Sequence, residues 1–291
     1  QEMVRMSAGM GDEKVIQPDA IDRTMVALAE FKEIYTTFDE QVHVRAVATA
    51  AVRQASNQAE FLARFKETMG FDLTVISGDQ EAVYDFKGVM NSLPVNDALI
   101  LDTGGASTEM ILVKSGKMVQ RISVPIGAVN ITEAHLEKDL VSAKSLFNAL
   151  TATNKYFHDI AWLANAVNLP IIAIGGSNRT LAKIMRHRRN QLDLPVHGYQ
   201  MTKDEVDDIF AELLGDNKAE RIGIRGLSKA RGDIIIGGVL PIVTLLTIID
   251  SNKVIFSQSG IREGVLFATI EELTNQHVLN PEARQLTIDA D

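Results

Sequence analysis

The chain has 291 residues, 46% of them hydrophobic, and a formal net charge of -9 at pH 7. This length is enough for about two domains, each with its own hydrophobic core. The absence of cysteine excludes disulfide frameworks, thiolate nucleophiles and zinc-thiolate sites. The negative charge gives no overall attraction to nucleic acid or anionic lipid, so we expect neither a nucleic-acid partner nor a membrane partner.

The longest apolar stretch, residues 234–249, also argues against a membrane protein. It is interrupted by Gly237, Gly238 and Pro241 and is shorter than the roughly 18 apolar residues that a spanning helix needs. The first residues are charged and lack the pattern of a secretory or organellar targeting segment. We therefore interpret the stretch as core and expect a cytoplasmic protein.

In chain order, helical and strand patterns alternate, which predicts an α/β fold. The first part should contain a helix from Pro18, a strand over 42–49, a short helix carrying Arg53, a helix over 58–69 and a strand over 73–77. Ser77 and Gln80 then form a capping box, which predicts a helix up to about Ser92 with Glu81 in its first turn.

A turn-rich break over 92–97 marks a domain boundary. We expect domain I at 1–96 and domain II at 97–273, with a C-terminal helix at about 274–291 that could return to domain I. Domain II should hold these elements in order: strands over 98–113 and 119–125, helices within 142–168, a strand over 170–174, a helix after the turn at 175–178, a strand over 253–257 and a helix over 264–273.

Two strands in this part end in similar glycine turns, at 102–107 and at 174–177. Such turns expose successive backbone N–H groups, and the second turn also leads into a helix N-terminus, so both suit phosphate. The hydroxyl groups of Ser107, Thr108 and Ser177 could add hydrogen-bond donors. The alternative is that the glycines serve only the geometry of the connection.

The carboxylates around the first turn favour a catalytic role. Ser107 and Glu109 fall on the same face of a strand, and Asp102 lies at the end of the preceding strand. Carboxylates in an apolar hairpin are costly unless they bind a metal, a water or a donor, so Asp102 and Glu109 suit a site for Mg²⁺ and water that attacks a phosphoanhydride. The alternative is a turn-capping aspartate and a solvent-facing glutamate.

Motifs of several other enzyme classes are absent from the sequence. It has no G-x-x-x-x-G-K-[ST] loop, and residues 9–14 lack the third glycine of a dinucleotide fingerprint. Residues 105–109 also do not match the G-x-S-x-G nucleophile elbow. We therefore interpret Ser107 as a phosphate donor and not as a nucleophile.

The whole chain resembles the exopolyphosphatase and guanosine pentaphosphate phosphohydrolase (Ppx/GppA) family, in its short form without a C-terminal histidine-aspartate domain. The resemblance is carried by six segments in the family's order: RAVATAAVRQASNQAEFL, VISGDQEAVYDFKGV, LILDTGGASTEMILV, SVPIGAVNITE, IIAIGGSNRTLAKI and SGIREGVLF. It implies a two-domain, actin-like fold of the sugar-kinase and heat-shock ATPase type, with the active site in the cleft between the domains. It also makes a homodimer plausible.

Matched positions imply roles for individual residues. Glu81 corresponds to the family's general base, although its local pattern alone indicates a first-turn glutamate favoured by the helix dipole. Asp102 and Glu109 correspond to the carboxylates that organise Mg²⁺ and the catalytic water. The remaining matched residues are expected to bind phosphate: Arg53, Gly104, Gly105, Ala106, Ser107, Gly175, Gly176 and Ser177.

The sequence departs from the family pattern at several positions. Ala106 replaces a glycine, which the loop tolerates if the residue needs no positive φ. Asn130 and Val83 stand where arginines are usual in the family. The helix that contains Val83 also has an additional acidic residue, Asp85. The family's first phosphate loop precedes the point where this chain begins, so we expect this chain to lack it.

The sequence therefore predicts a Mg²⁺-dependent phosphohydrolase that releases terminal phosphate from inorganic polyphosphate or converts guanosine pentaphosphate to guanosine tetraphosphate. Two alternatives are a non-catalytic sensor of guanosine tetraphosphate or polyphosphate and an ATP-dependent kinase of the same fold. The basic run Arg186 to Arg189 could guide a polyanion, or could simply be a solvated helix end.

Overall fold

A computed structural model describes residues 2–38 and 42–276. The chain divides into two compact units, Gln1–Gly78 and Asp79–Asp291. This division differs from the boundary that the sequence places after residue 96, because the helix over 78–90 packs on the sheet of the second unit: Ala82 and Val89 share a core with Ile100. Of the C-terminal helix predicted over 274–291, residues 277–291 lie outside the described residues.

The first unit contains three helices and a small parallel sheet. The helices are α1 (Pro18–Thr36), α2 (Ala50–Arg53) and α3 (Gln58–Met69), and the strands are β1 (Val47–Ala48) and β2 (Thr74–Val75). Phe61 and Phe65 on α3 pack with Ile21 on α1 in its core. The strands predicted over 42–49 and 73–77 are wrong in length, because backbone pairing is limited to two residues on each strand.

A six-stranded sheet organises the second unit. Its strands are β3 (Ala98–Thr103), β4 (Thr108–Lys114), β5 (Lys117–Val124), β6 (Ile171–Ile174), β7 (Gln200–Thr202) and β8 (Lys253–Phe256), in the order β5-β4-β3-β6-β8-β7. An antiparallel meander, β3 to β5, is extended by parallel pairing of β3 with β6 and of β6 with β8. This mixed sheet confirms the predicted α/β fold class.

Helices cover both faces of this sheet. They are α4 (Gly78–Met90), α5 (Ala128–His135), α6 (Ala143–His158), α7 (Gly176–Arg188), α8 (Lys203–Gly215), α9 (Lys218–Arg221), α10 (Ile235–Ile248) and α11 (Ile261–Thr274). One face packs a large core that includes α10, and the other face packs against α4. The long apolar stretch is thus a buried helix, as predicted. Across the described residues, no helix has the length and apolar character needed to span a membrane.

Candidate active site

Four acidic residues meet where α4 covers the sheet. Asp102 and Glu109 are directly opposite each other in the antiparallel pairing of β3 with β4, which places their side chains on one face and within contact distance. Alternation along the strands puts them on the face of Ile100 and Ile111, the face that α4 covers. Glu81 and Asp85 lie one turn apart on α4 and act electrostatically on Glu109 and on each other. The structure therefore brings together all three predicted catalytic carboxylates, with Asp85 as a fourth.

Three of these four acidic residues are buried, and Asp102 is half-buried. Glu81 is 7% exposed, Glu109 is 1% exposed and Asp85 is 0% exposed. Burial raises the pKa of Asp85 well above its usual value, and the neighbouring acidic side chains raise it further. The pKa of Glu109 is raised well above its usual value by burial and by the charges of Glu81 and Asp102. Such crowding is typical of sites that bind a cation or exchange a proton.

Two serine hydroxyl groups orient Glu109. Ser123 on β5 donates a hydrogen bond of 2.6 Å to Oε1 of Glu109. Ser107, which is buried, also contacts the Glu109 carboxylate and lowers its pKa, as Ser123 does. Ser107 thus supports a catalytic carboxylate in the structure, and its binding of phosphate stays a prediction.

Asp102 lies where the two glycine turns meet. Burial raises its pKa to about 6, while the positive charge of Arg179 on α7 acts in the opposite direction. Gly175 packs against the same carboxylate, because an added Cβ would lie 2.9 Å from Oδ1 of Asp102. The second turn therefore borders the acidic cluster at the carboxyl ends of β3 and β6.

The first glycine turn is fastened to the beginning of α5. The carbonyl oxygen of Gly104 accepts a hydrogen bond of 2.9 Å from the Ala128 amide. Asn130 accepts a bond from the Gly127 amide and donates bonds to the carbonyl oxygens of Ala106 and Pro125. The backbone of Ala106 is not left-handed, so the added methyl group is compatible with this turn. Asn130, which stands where an arginine is usual in the family, thus holds the turn in place.

The second glycine turn has a demanding backbone conformation. Gly175 has φ of +95°, and Gly176, which begins α7, lies against the guanidinium group of Arg231. The hydroxyl group of Ser177 is buried and packs against Gly238 on α10. The N-terminal amides of α7 suit phosphate better than this hydroxyl group does, and the phosphate contact of Ser177 stays a prediction.

Replacing Gly175 by alanine should destabilise the protein and displace Asp102. The new Cβ would lie 2.5 Å from the carbonyl oxygen of Thr103 in a conformation that favours glycine, at a cost of about 2 kcal/mol or more. Urea denaturation measures this cost. Gly215→Ala is the matched control, since no atom lies within 4 Å of its added Cβ. Equal stability of the Gly175→Ala variant and the wild type would contradict the prediction.

Comparison with known proteins gives the decisive observation on identity. The model of the Ppx/GppA phosphatase family matches residues 1–273. The chain belongs to this family. The crystal structure of the Aquifex aeolicus Ppx/GppA family member is similar to this chain, with 29% sequence identity and a TM-score of 0.74. The match covers 95% of this chain and 89% of the Aquifex aeolicus chain. The crystal structure of an exopolyphosphatase from Cytophaga hutchinsonii has 26% sequence identity and a TM-score of 0.80, and the match covers 92% of this chain and 88% of the exopolyphosphatase chain.

Two curated relatives are longer than this chain. A guanosine-5'-triphosphate,3'-diphosphate pyrophosphatase from Pseudoalteromonas translucida is 28% identical over 98% of this chain and 55% of the relative. A bifunctional 3-dehydroquinate synthase/phosphatase from Fusobacterium nucleatum is 26% identical over 93% of this chain and 41% of the relative. The chain thus spans about half the length of these relatives.

Arg53 and the basic run bear on the predicted phosphate contacts. Arg53 belongs to the first unit and donates a hydrogen bond of 2.8 Å to the carbonyl oxygen of Ile76. In the second unit, Arg188 pairs with Glu212, and Arg189 pairs with Glu205. These pairs favour the interpretation of residues 186–189 as a structural helix end, since two of the arginines are already neutralised.

Sequence reasoning missed several polar residues of this Ppx/GppA site. Asp85 was noted only as an addition to its helix, although its spacing of four residues from Glu81 places both on one helix face. Arg179 follows the glycine turn by one helical turn, a spacing that could have indicated it. Ser123 and Arg231 had no local signal, because β5 and the segment before α10 approach the site only in the folded chain.

Proposed function

We propose that this Ppx/GppA protein is a Mg²⁺-dependent phosphohydrolase that releases terminal phosphate from inorganic polyphosphate or guanosine pentaphosphate. The observation that carries the proposal is the convergence of Glu81, Asp102 and Glu109 beside the glycine turn at Gly175. Phosphoryl transfer to water needs little covalent chemistry from a protein. Instead, it needs positioning of the phosphate, neutralisation of charge and a proton acceptor.

Glu81 is the proton acceptor in this proposal. It is 7% exposed and lies over Glu109 on the covering helix, so a water held at the carboxylates would be close to it. Its carboxylate would accept a proton from that water as the water oxygen bonds to the terminal phosphorus and the phosphoanhydride P–O bond breaks, with the shortened polyphosphate or guanosine tetraphosphate as the leaving group. A kinase of the same fold would need a second acceptor substrate in place of water.

Asp102 and Glu109 supply carboxylate oxygens, which are suitable ligands for a divalent cation such as Mg²⁺. Mg²⁺ is usually held in proteins by one or two carboxylates together with water and substrate phosphates. Asp102 and Glu109, directly opposite across β3 and β4, supply two, and the described residues contain no group of three or more acidic or histidine side chains set to enclose a metal. When bound, the cation would neutralise negative charge on the phosphates and polarise the attacking water.

In this proposal, backbone amide groups and an arginine bind the phosphate groups of the substrate. The two glycine turns and the first turn of α7 offer N–H groups beside the carboxylates. The family resemblance assigns a phosphate contact to Arg53, and this contact stays a prediction. The positive charge of Arg179, which acts on Asp102, keeps the surroundings from being uniformly negative.

The substrate class rests on the names of relatives, an exopolyphosphatase and a guanosine-5'-triphosphate,3'-diphosphate pyrophosphatase. Both names describe the cleavage of a phosphoanhydride that ends in phosphate. Phosphate release with Mg²⁺ from long-chain polyphosphate and from guanosine pentaphosphate tests the proposal directly, in the full natural protein. We expect release from at least one of them. Tight nucleotide binding by calorimetry without any release would instead indicate a sensor.

A further inference from the structure

Asp85 is an acidic residue at a position that the fold would otherwise fill with an apolar side chain. It is 0% exposed and lies on the face of α4 that carries Ala82 and Val89 into the core. A carboxylate there costs several kcal/mol unless it is compensated. The function proposed above gives Asp85 no role.

The two carboxylate oxygens of Asp85 make no hydrogen bond of normal geometry within the part of the chain that the structure describes. Its neighbours are mostly other acidic groups, with Asp102 and Glu109 acting on it most strongly. The amide of Ile261, at the first turn of α11, is the backbone group that favours its charged form. The Asp85 side chain also favours the charged form of Asp102, as a hydrogen-bond donor would. Asp85 is therefore a buried carboxyl group beside the other acidic residues, and neither of its oxygens has a hydrogen-bond partner of normal geometry among the described residues.

A role for Asp85 in capping the N-terminus of α11 explains its buried position only in part. A carboxylate near a helix N-terminus is favoured by the helix dipole. However, Glu263 already caps α11, since its Oε2 accepts a hydrogen bond of 2.9 Å from the Gly260 amide. Asp85 Oδ1 lies beside Gly260, 3.2 Å from where its Cβ would be, but makes no cap hydrogen bond of its own.

We propose that Asp85 is a further acidic residue of the cation site, which holds the hydrated divalent cation at Asp102 and Glu109 by accepting hydrogen bonds from its water ligands. This inference rests on the Mg²⁺ dependence proposed above. Mg²⁺ loses its water reluctantly and keeps several water molecules in protein sites. Carboxylates that bind those waters tune affinity from outside the coordination shell. Asp85 is thus a positioning residue in this proposal and not a direct ligand.

Titration of Mg²⁺ into the full protein by calorimetry tests this role without reference to activity. Asp85→Asn preserves the shape of the side chain and removes its charge, and we expect Mg²⁺ affinity to fall about 10- to 100-fold. Asp79→Asn is the matched control on the same helix, because Asp79 is exposed and pairs with Arg121. The control should bind Mg²⁺ like the wild type.

The melting temperature separates this role from a structural one. Burial favours the uncharged form of Asp85, which asparagine resembles, so the metal-free variant should be about as stable as the wild type, while the rise in melting temperature caused by Mg²⁺ becomes smaller. Wild-type Mg²⁺ affinity in Asp85→Asn would overturn the inference. Loss of folding in both Asp85→Asn and Asp85→Ser would also overturn it, because the carboxylate would then be structural.

Asp102→Asn shows whether a failure lies with Asp85 or with the cation site itself. If Asp102→Asn loses Mg²⁺ binding and Asp85→Asn keeps it, the inference about Asp85 fails and the proposed site survives. If neither substitution changes Mg²⁺ binding, the cation does not bind at these carboxylates, and the metal part of the proposed function fails with the inference.

Discussion

Glu81→Gln should lower the rate of phosphate release by about 10²- to 10⁴-fold, the usual contribution of a positioned general base. Glutamine has nearly the same shape and keeps a hydrogen-bonding group, but it cannot accept a proton from water. Glu81 is 7% exposed and has acidic neighbours whose pKa values it raises. The substitution should therefore preserve the fold or stabilise it.

Rates on polyphosphate and on guanosine pentaphosphate should fall together in this variant, since one base serves both reactions. Glu67→Gln is the matched control, because Glu67 is exposed on α3 and should keep the wild-type rate. Calorimetric Mg²⁺ binding should persist in Glu81→Gln, which separates loss of the base from loss of the cation. A rate within a few-fold of the wild type, with the fold intact by circular dichroism, would show that another group accepts the proton.

The part of the site that lies on the sheet, Asp102 and Glu109, can largely be predicted from the sequence. The alternation of side chains along a strand and one short turn determine where these residues lie. A strand ending at Asp102, a turn of small residues and a second strand containing Glu109 leave few arrangements for these carboxylates. The structure adds that Asp102 and Glu109 are directly opposite each other in the pairing of β3 with β4. Local patterns also predict the beginning of α7, where a strand ends in two glycines.

The position of α4 over that sheet could not be predicted from the sequence. Glu81 and Asp85 reach the carboxylates because α4 and α11 approach closely at Gly88, where an added Cβ would lie 2.2 Å from the carbonyl oxygen of Gly260. This contact joins residues far apart in the chain, and no local pattern indicates it. Before the structure, the role of Glu81 therefore depended on the family resemblance, and Asp85 remained without one.

Asp102→Asn should lower Mg²⁺ affinity by more than about 100-fold, since even residues outside the coordination shell contribute about 10- to 100-fold. The substitution removes one of two carboxylates that are directly opposite each other, and a single carboxylate with water competes poorly with hydration of the free ion. Phosphate release at moderate Mg²⁺ should fall accordingly. Asp193→Asn, at an exposed position, is the matched control and should match the wild type.

The dependence of Mg²⁺ affinity on pH gives the same assignment an independent test. Burial raises the pKa of Asp102 to about 6, and only the ionised carboxylate binds the cation, so protons and Mg²⁺ compete for it. Affinity in the wild type should fall as the pH drops through about 6. Because the pKa of Glu109 is also raised, by burial and by the charges of Glu81 and Asp102, the loss should begin above pH 6 and become steeper than about tenfold per unit where both carboxyl groups titrate. An acidic group with an ordinary pKa near 4 would lose its affinity only at much lower pH. Calorimetric titrations at several pH values between 5 and 8 distinguish these cases, and constant affinity down to pH 5 would mean that Asp102 does not hold the cation.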